Sequence, residues 1–283
     1  MTFSVETFSE LITLEPHGTD VFVGVGPEYP WGRVYGGQVA AQALRAAMHT
    51  VEPQYRAHSL HAYFIRGGTS EEPIRYEVDR IRNGRSFCTR RVVARQSGGA
   101  ILNISASFQL VEDQADVTPL RLPDVPGPDE LEPDDWGTML ERRPIIGHGA
   151  ESVPGVSRTW LRVKEPVVPE TTDGAQPSET LQTSLQLCAH VFASDDIPTD
   201  AAISLHPKAP MSEETWGDFI GASLDHAVWL HRPRPATEWM LHDFTGLGMQ
   251  GGRGLAMGRV FAQDGTHVAS IAQEVLFREK KPA

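Results

Sequence analysis

Ser223, Asp225 and His226 stand within four residues of one another in the stretch GASLDHAVWLHRP, residues 221–233. A hydroxyl, a carboxylate and an imidazole are the ingredients of nucleophilic and general-base chemistry. The stretch itself reads as a strand: Leu224, Ala227, Val228, Trp229 and Leu230 supply the apolar content of a half-buried sheet. Alternation along a strand puts Ser223 and Asp225 on one face and His226 on the other. Asp225 and His226 are then a poor hydrogen-bonded dyad, and the partners of Ser223 are expected elsewhere in the chain.

Other polar clusters suggest scaffold. GMQGGRG (248–254) is glycine-rich, but a strand pattern follows it, whereas a phosphate cradle opens a helix; a bend between strands is the expectation. Arg80, Arg82, Arg85, Arg90, Arg91 and Arg95 make one hairpin basic, and alternation spreads them over both faces, so most are expected in solvent. The two cysteines, Cys88 and Cys188, form no CxxC pair, and the eleven histidines show no HExxH spacing. Neither a metal site nor a cofactor is expected.

The elements that must position such residues occur twice. GGQVAAQALRAAMHTV (36–51) has the apolar spacing of a helix. Strand candidates follow at 58–67, 73–81, 86–96 and 100–110, and Asn83-Gly84 is expected to turn the second into the third because both residues tolerate positive φ. A proline-rich, acidic stretch at 112–155 shows neither sheet nor helix pattern, save one short helix expected near WGTMLERRP (136–144). A strand candidate at 157–166 precedes a second helix in 180–196, where Leu181, Leu185, Cys188 and Phe192 share one face; Cys188 is then an ordinary core residue. Four more strand candidates follow, at 222–232, 238–246, 254–263 and 267–278. HAYFI (61–65) lies over HAVWL (226–230), and RVVAR (91–95) over RVFAQ (259–263), which implies a duplicated unit. On this alignment His61 and His226 are equivalent and share a structural role. Helices and strands do not alternate, so a parallel α/β fold is not expected; an antiparallel sheet curled over each helix is.

With 283 residues, 40% hydrophobic and 22% charged, the chain is long enough for one large domain or two ordinary ones. A net charge of -12 argues against nucleic acid as the main partner. No apolar run approaches the roughly 18 residues of a membrane span. The first residues lack a basic and an apolar region, and the ending KKPA is not a peroxisomal tripeptide, so a cytoplasmic location is the expectation.

The motifs VYGGQVAAQAL (34–44), HSLHAYFIRGG (58–68) and NGRSFCTRRVVA (83–94), followed by FASDD (192–196), ASLDHAVWLHRP (222–233) and QDGTHVASIAQE (263–274), resemble the acyl-CoA thioesterase II family. The resemblance spans nearly the whole chain outside the connecting stretch. It implies an α+β double hotdog: an N-terminal repeat at 1–111, a linker at 112–155, and a C-terminal repeat at 156–283 carrying the catalytic residues. It also implies hydrolysis of fatty acyl-CoA to fatty acid and CoA. Carried over by motif, the family's catalytic Asp falls on Asp195 and its Gln on Gln273. Its Thr position holds Ser223, which keeps the hydroxyl but lacks the methyl that fixes a Thr rotamer.

Thioester hydrolysis needs an activated water and a group that stabilises an oxyanion. Asp195 can accept a proton from water, Ser223 can donate and accept, and Gln273 cannot titrate, so it orients or stabilises. Backbone N–H groups at a helix N-terminus could complete an oxyanion hole. No acyl-enzyme is needed. One or two of the hairpin arginines could meet CoA phosphates. Two other functions stay open: a hotdog-type enoyl-CoA hydratase or dehydratase, which needs a placed His and an acid, and a non-catalytic acyl-CoA-binding protein. Exposed sheet edges in such repeats favour homo-oligomers.

Overall fold

The computed structural model describes residues 5–135, 137–145, 153–169, 177–209 and 218–280. The chain before the second repeat forms helices α1 (Phe8–Leu11) and α2 (Gly36–Met48) and strands β1 (Glu15–Pro16), β2 (Val21–Gly24), β3 (Tyr55–Phe64), β4 (Ile74–Asn83), β5 (Phe87–Gln96) and β6 (Gly99–Leu110). Then come β7 (Leu140–Pro144), β8 (Val156–Val163), α3 (Glu179–Ser194) and α4 (Pro198–Ile203). Strands β9 (Phe219–Ser223), β10 (Asp225–Leu230), β11 (Met240–Gln250), β12 (Arg253–Ala262) and β13 (His267–Glu279) complete the described chain. No helix among the described residues is long and apolar enough to cross a membrane.

All strand pairs are antiparallel, in one sheet ordered β1-β2-β4-β5-β6-β3-β10-β13-β12-β11-β8-β7, with β9 also on β13. The order β2-β4-β5-β6-β3 is mirrored by β8-β11-β12-β13-β10, and the two runs meet where β3 pairs with β10. Helix α2 packs on β2 to β6 and against α3, burying Val39, Ala40, Ala43, Leu44 and Ala47. Its alanines let the helices and the sheet approach closely. Helix α3 buries Leu185, Cys188 and Phe192, as the spacing predicts, with Leu181 at the margin.

Three local expectations are corrected. Residues 140–144 form β7, paired with β8, rather than a helix. The stretch before it also packs: Leu120, Leu122, Val125 and Leu131 join Trp160, Leu241 and Phe261 in a second apolar cluster. Neither Asn83 nor Gly84 adopts positive φ; the β4–β5 connection runs through residues 84–86, with Gly84 N–H donating to the Phe87 carbonyl at 2.9 Å. Asn83 turns its side chain to another use, accepting from Arg90 at 2.6 Å. Gly251 and Gly252, by contrast, take positive φ in the β11–β12 turn, so GMQGGRG is the bend expected of it.

The repeats align one residue away from the sequence overlay. Each has one extra residue at the same place: β3 slips against β6 between Ala57 and Ser59, and β13 changes partner from Ser223 to the β10 register across Leu224. Matching these irregularities pairs Ala57 with Ser223 and Leu60 with His226. His61 is exposed on the outer face, and His226 is 1% exposed on the inner one. They share no structural role, because a one-residue slip exchanges the faces of a strand.

Candidate active site

The interruption at Leu224 decides the geometry of the GASLDHAVWLHRP stretch. Leu224 N–H donates to the Glu274 carbonyl at 2.9 Å, and its own carbonyl accepts from Phe64 N–H of the first repeat at 2.9 Å. Asp225 accepts from Glu274 N–H through Oδ1 at 2.7 Å and so fastens β13 beside the break. A residue inserted into a strand shifts its alternation. Ser223 and His226 therefore share the inner face, and Asp225 lies on the other. This reverses the face assignment that uniform alternation predicts, and it gives Asp225 a scaffold role.

Asp195, Ser223 and Gln273 come together. The Ser223 hydroxyl donates to Asp195 Oδ1 at 3.2 Å, and the Gln273 amide nitrogen donates to Ser223 Oγ at 2.9 Å. Asp195 is the C-cap of α3, Ser223 ends β9 and Gln273 is central in β13, so three elements converge. Asp195 is 6% exposed and Gln273 fully buried. Burial pushes the Asp195 carboxyl up to about 7; bonds from Ser223, Gln273 and Gly37 N–H oppose that rise, and the neighbouring Asp196 charge adds to it.

The first repeat supplies the remaining wall. Helix α2 begins at Gly36, and its N-cap, Tyr35, makes no side-chain capping bond. The Tyr35 hydroxyl instead donates to the Phe192 carbonyl at 2.9 Å, tying the start of α2 to the end of α3. The two glycines allow this approach. A Cβ on Gly36 would lie 2.5 Å from Asp195 Oδ2 and 2.8 Å from the Phe64 ring, and one on Gly37 would strike the Phe192 carbonyl. The positive end of the α2 dipole thus faces the carboxylate. Gly36→Ala should lower kcat by about 10²-fold by displacing Asp195, with little change in thermal midpoint; steady-state kinetics beside a melting curve check this. Turnover within twofold of the parent would show that the close approach is dispensable.

The basic hairpin behaves mostly as expected. Arg80 pairs with Asp20, Arg91 with Asp79, and Arg95 with Glu77, all at partly open positions. Arg90 does not: it is 1% exposed. It donates to Thr50 Oγ1 at 2.8 Å, the Thr50 carbonyl at 2.9 Å, the Arg82 and Thr89 carbonyls at 2.9 and 3.0 Å, and Asn83 Oδ1. In the first repeat the positions matching Ser223, His226 and Gln273 are Ala57, Leu60 and Ala106, and the helix C-cap matching Asp195 is His49. Arg90 pairs with Ala106 and reaches Thr50, next to His49, so its guanidinium fills the corresponding space. Among the described residues this polar cluster therefore occurs once. Uniform alternation places Arg90 on a face without telling whether a helix end closes over it.

Residues 26–109 match the acyl-CoA thioesterase N-terminal domain and residues 116–277 the acyl-CoA thioesterase C-terminal domain. The chain belongs to the acyl-CoA thioesterase family. It is 32% identical over 283 residues to acyl-CoA thioesterase 2 of Haemophilus influenzae, covering 95% of this chain and 96% of that one. It is also 32% identical to human acyl-coenzyme A thioesterase 8, covering 95% and 88%. Among solved structures, the acyl-CoA thioesterase II from Mycobacterium marinum superposes with a TM-score of 0.80 at 32% identity, covering 97% and 99%. A hot dog fold protein from Alicyclobacillus acidocaldarius, 22% identical, superposes at 0.74 over 98% of each chain, which supports the fold. An acyl-CoA thioesterase is a thioester hydrolase, so hydrolysis is favoured over the hydratase and binding-protein readings.

Proposed function

We propose that Asp195, Ser223 and Gln273 activate a water that attacks the thioester directly. The observation that carries this is the Gln273–Ser223–Asp195 hydrogen-bond chain ending on a carboxylate whose pKa burial brings to about 7. A base with that pKa is matched to proton transfer near neutrality. Asp195 takes a proton from water as the water oxygen bonds to the carbonyl carbon. The resulting oxyanion is stabilised by N–H groups at the start of α2. The carbon–sulfur bond then breaks, and the departing CoA thiolate recovers the proton from Asp195. The products are a carboxylic acid and the CoA thiol. Ser223 and Gln273 fix the carboxylate and the water; Gln273 neither gains nor loses a proton.

The substrate on this reading is an acyl-CoA, the class that the names of the relatives carry, with a fatty acyl chain as the resemblance implies. The mirrored strand order supports a double hotdog with repeats at 1–111 and 156–283, joined by 112–155, which adds β7 to the second repeat. A homo-oligomer in the cytoplasm completes the proposal.

Purified protein incubated with acyl-CoAs of graded chain length tests it. Free thiol should appear in equal amount to the acid, with no change in enoyl absorbance and no burst equal to the enzyme concentration. Trapping of a covalent acyl-enzyme would overturn direct attack by water, and an enoyl change without thiol release would restore the hydratase reading.

A further inference from the structure

Two buried polar atoms beside the cluster lack a hydrogen bond of sound geometry, and they belong to facing residues. His226 Nδ1 and Gln273 Oε1 are both without a partner. The register that pairs Ala227 with Ala272 puts His226 directly across from Gln273. Both are on the inner face and at most 1% exposed. Facing residues on adjacent antiparallel strands have Cβ atoms about 5 Å apart, within reach of an imidazole and a long amide. One ring nitrogen can donate and the amide oxygen can only accept. The other ring nitrogen, Nε2, lies 2.7 Å from Ser194 Oγ. Orphaned buried polar groups in a native protein call for an explanation, and here each orphan answers the other.

We infer that His226 is a positioning residue for hydrolysis, holding Gln273 in its working orientation by donating from Nδ1–H to Oε1. From the imidazole to the carboxylate the donors then point one way. Ser194 Oγ lies 2.8 Å from the Val191 carbonyl and 2.7 Å from His226 Nε2, two acceptors for its one proton; on this inference the proton goes to Nε2, and His226 Nδ1–H donates to Gln273 Oε1, the Gln273 amide to Ser223 Oγ, and the Ser223 hydroxyl to Asp195 Oδ1. A glutamine amide can bind either way round, and only one way offers Ser223 a donor. Nothing else among the described residues takes up Oε1. Without the imidazole, the amide can turn its oxygen toward Ser223, which would then have to spend its proton on Gln273 instead of Asp195. The ring suits this task because burial pushes its pKa down to about 4, with the contact to Gln273 opposing that fall. It therefore stays neutral through the working pH range, with one ring nitrogen free to donate and the other to accept. Aligned donors in a buried chain also polarise one another. The Ser223–His226 pairing depends on the extra residue at Leu224, without which the ring would face outward.

The inference rests on the proposed roles of Asp195, Ser223 and Gln273, so its test has an arm that is independent of catalysis. Long-range proton–nitrogen correlation spectra of protein labelled with nitrogen-15 histidine should show His226 as the neutral Nδ1–H tautomer at pH 7. His226→Leu should lower kcat about 10- to 100-fold with KM nearly unchanged. His226→Asn, whose side-chain amide places a donor near the position of Nδ1, should recover most of that loss. In a Gln273→Ala background, His226→Leu should cost nothing further. An Nε2–H tautomer, or equal losses in the Leu and Asn variants of matched stability, would overturn the positioning role. Wild-type turnover in Asp195→Asn would instead sink the water-activation reading while leaving the tautomer result standing.

Discussion

Asp195→Asn is expected to lower kcat by about 10²-fold or more and, at the same time, to stabilise the fold. The loss follows from removing the only carboxylate in the hydrogen-bonded cluster while its amide replacement keeps the shape. The gain follows from burial. The folded-state pKa of Asp195 lies at about 7, raised from 3.8 chiefly by desolvation. Below 3.8 the carboxyl is protonated in folded and unfolded chains alike. As pH rises from there to about 7 the unfolded chain releases the proton while the folded one holds it, so the wild type loses stability relative to the variant. Above about 7 the difference is constant, at roughly 2–4 kcal/mol in favour of Asn. Melting curves of both proteins from pH 4 to pH 9 should therefore diverge and then run parallel. The wild-type kcat/KM should climb with pH through about 7 and level off, and the variant's residual rate should lack that limb. A variant that turns over normally removes Asp195 from the chemistry. One that is inactive and equally less stable at every pH assigns it a scaffold role.

Arg90→Met should have the largest effect on stability among the basic residues, about 3 kcal/mol or more, with kcat per folded molecule near the parent value. Met retains much of the stem volume but offers no donors. It strands the Thr50, Arg82 and Thr89 carbonyls, Thr50 Oγ1 and Asn83 Oδ1 beneath the end of α2. It also removes the cation from the helix C-terminus, where positive charge is favoured. Urea titration should give a lower midpoint at an unchanged slope. Intact stability with a raised KM would instead assign Arg90 to the CoA phosphates. Arg91→Met, whose partner Asp79 is about half exposed, should shift the midpoint little, since exposed ion pairs contribute little.

The contrast between these arginines lies in tertiary packing, not in local sequence. Arg90 and Arg91 are neighbours with identical side chains on one strand, and alternation correctly sends them to opposite faces. It carries no information on which face lies under a helix end. The same holds for the candidate site. Asp195, Ser223 and Gln273 were legible because each sits in a motif, FASDD, ASLD or SIAQE. His226 is equally visible, but the apparent match of HAYFI to HAVWL makes it the counterpart of His61 and hides its place on the inner face. The paired slips at Ala57–Ser59 and at Leu224 show the match to be one residue off. Gly36 and Gly37 lie inside the motif VYGGQVAAQAL, and their value appears only when the end of α3 is set against them.

From the order of residues alone follow the duplicated helix-and-sheet plan, the antiparallel pairing and the three side chains that could hold a water. Periodicity and motif spacing are local properties, and the chain carries them on its face. The tertiary structure alone decided the rest. Whether Ser223 and His226 share a face depends on an extra residue whose backbone groups bond to Glu274 and Phe64, far away in sequence. Whether the Asp195 carboxyl keeps an ordinary pKa or is pushed up to about 7 depends on burial under the first turn of a helix from the other repeat. Both are consequences of long-range packing, which sets dielectric and register, and neither quantity is a property of any short segment.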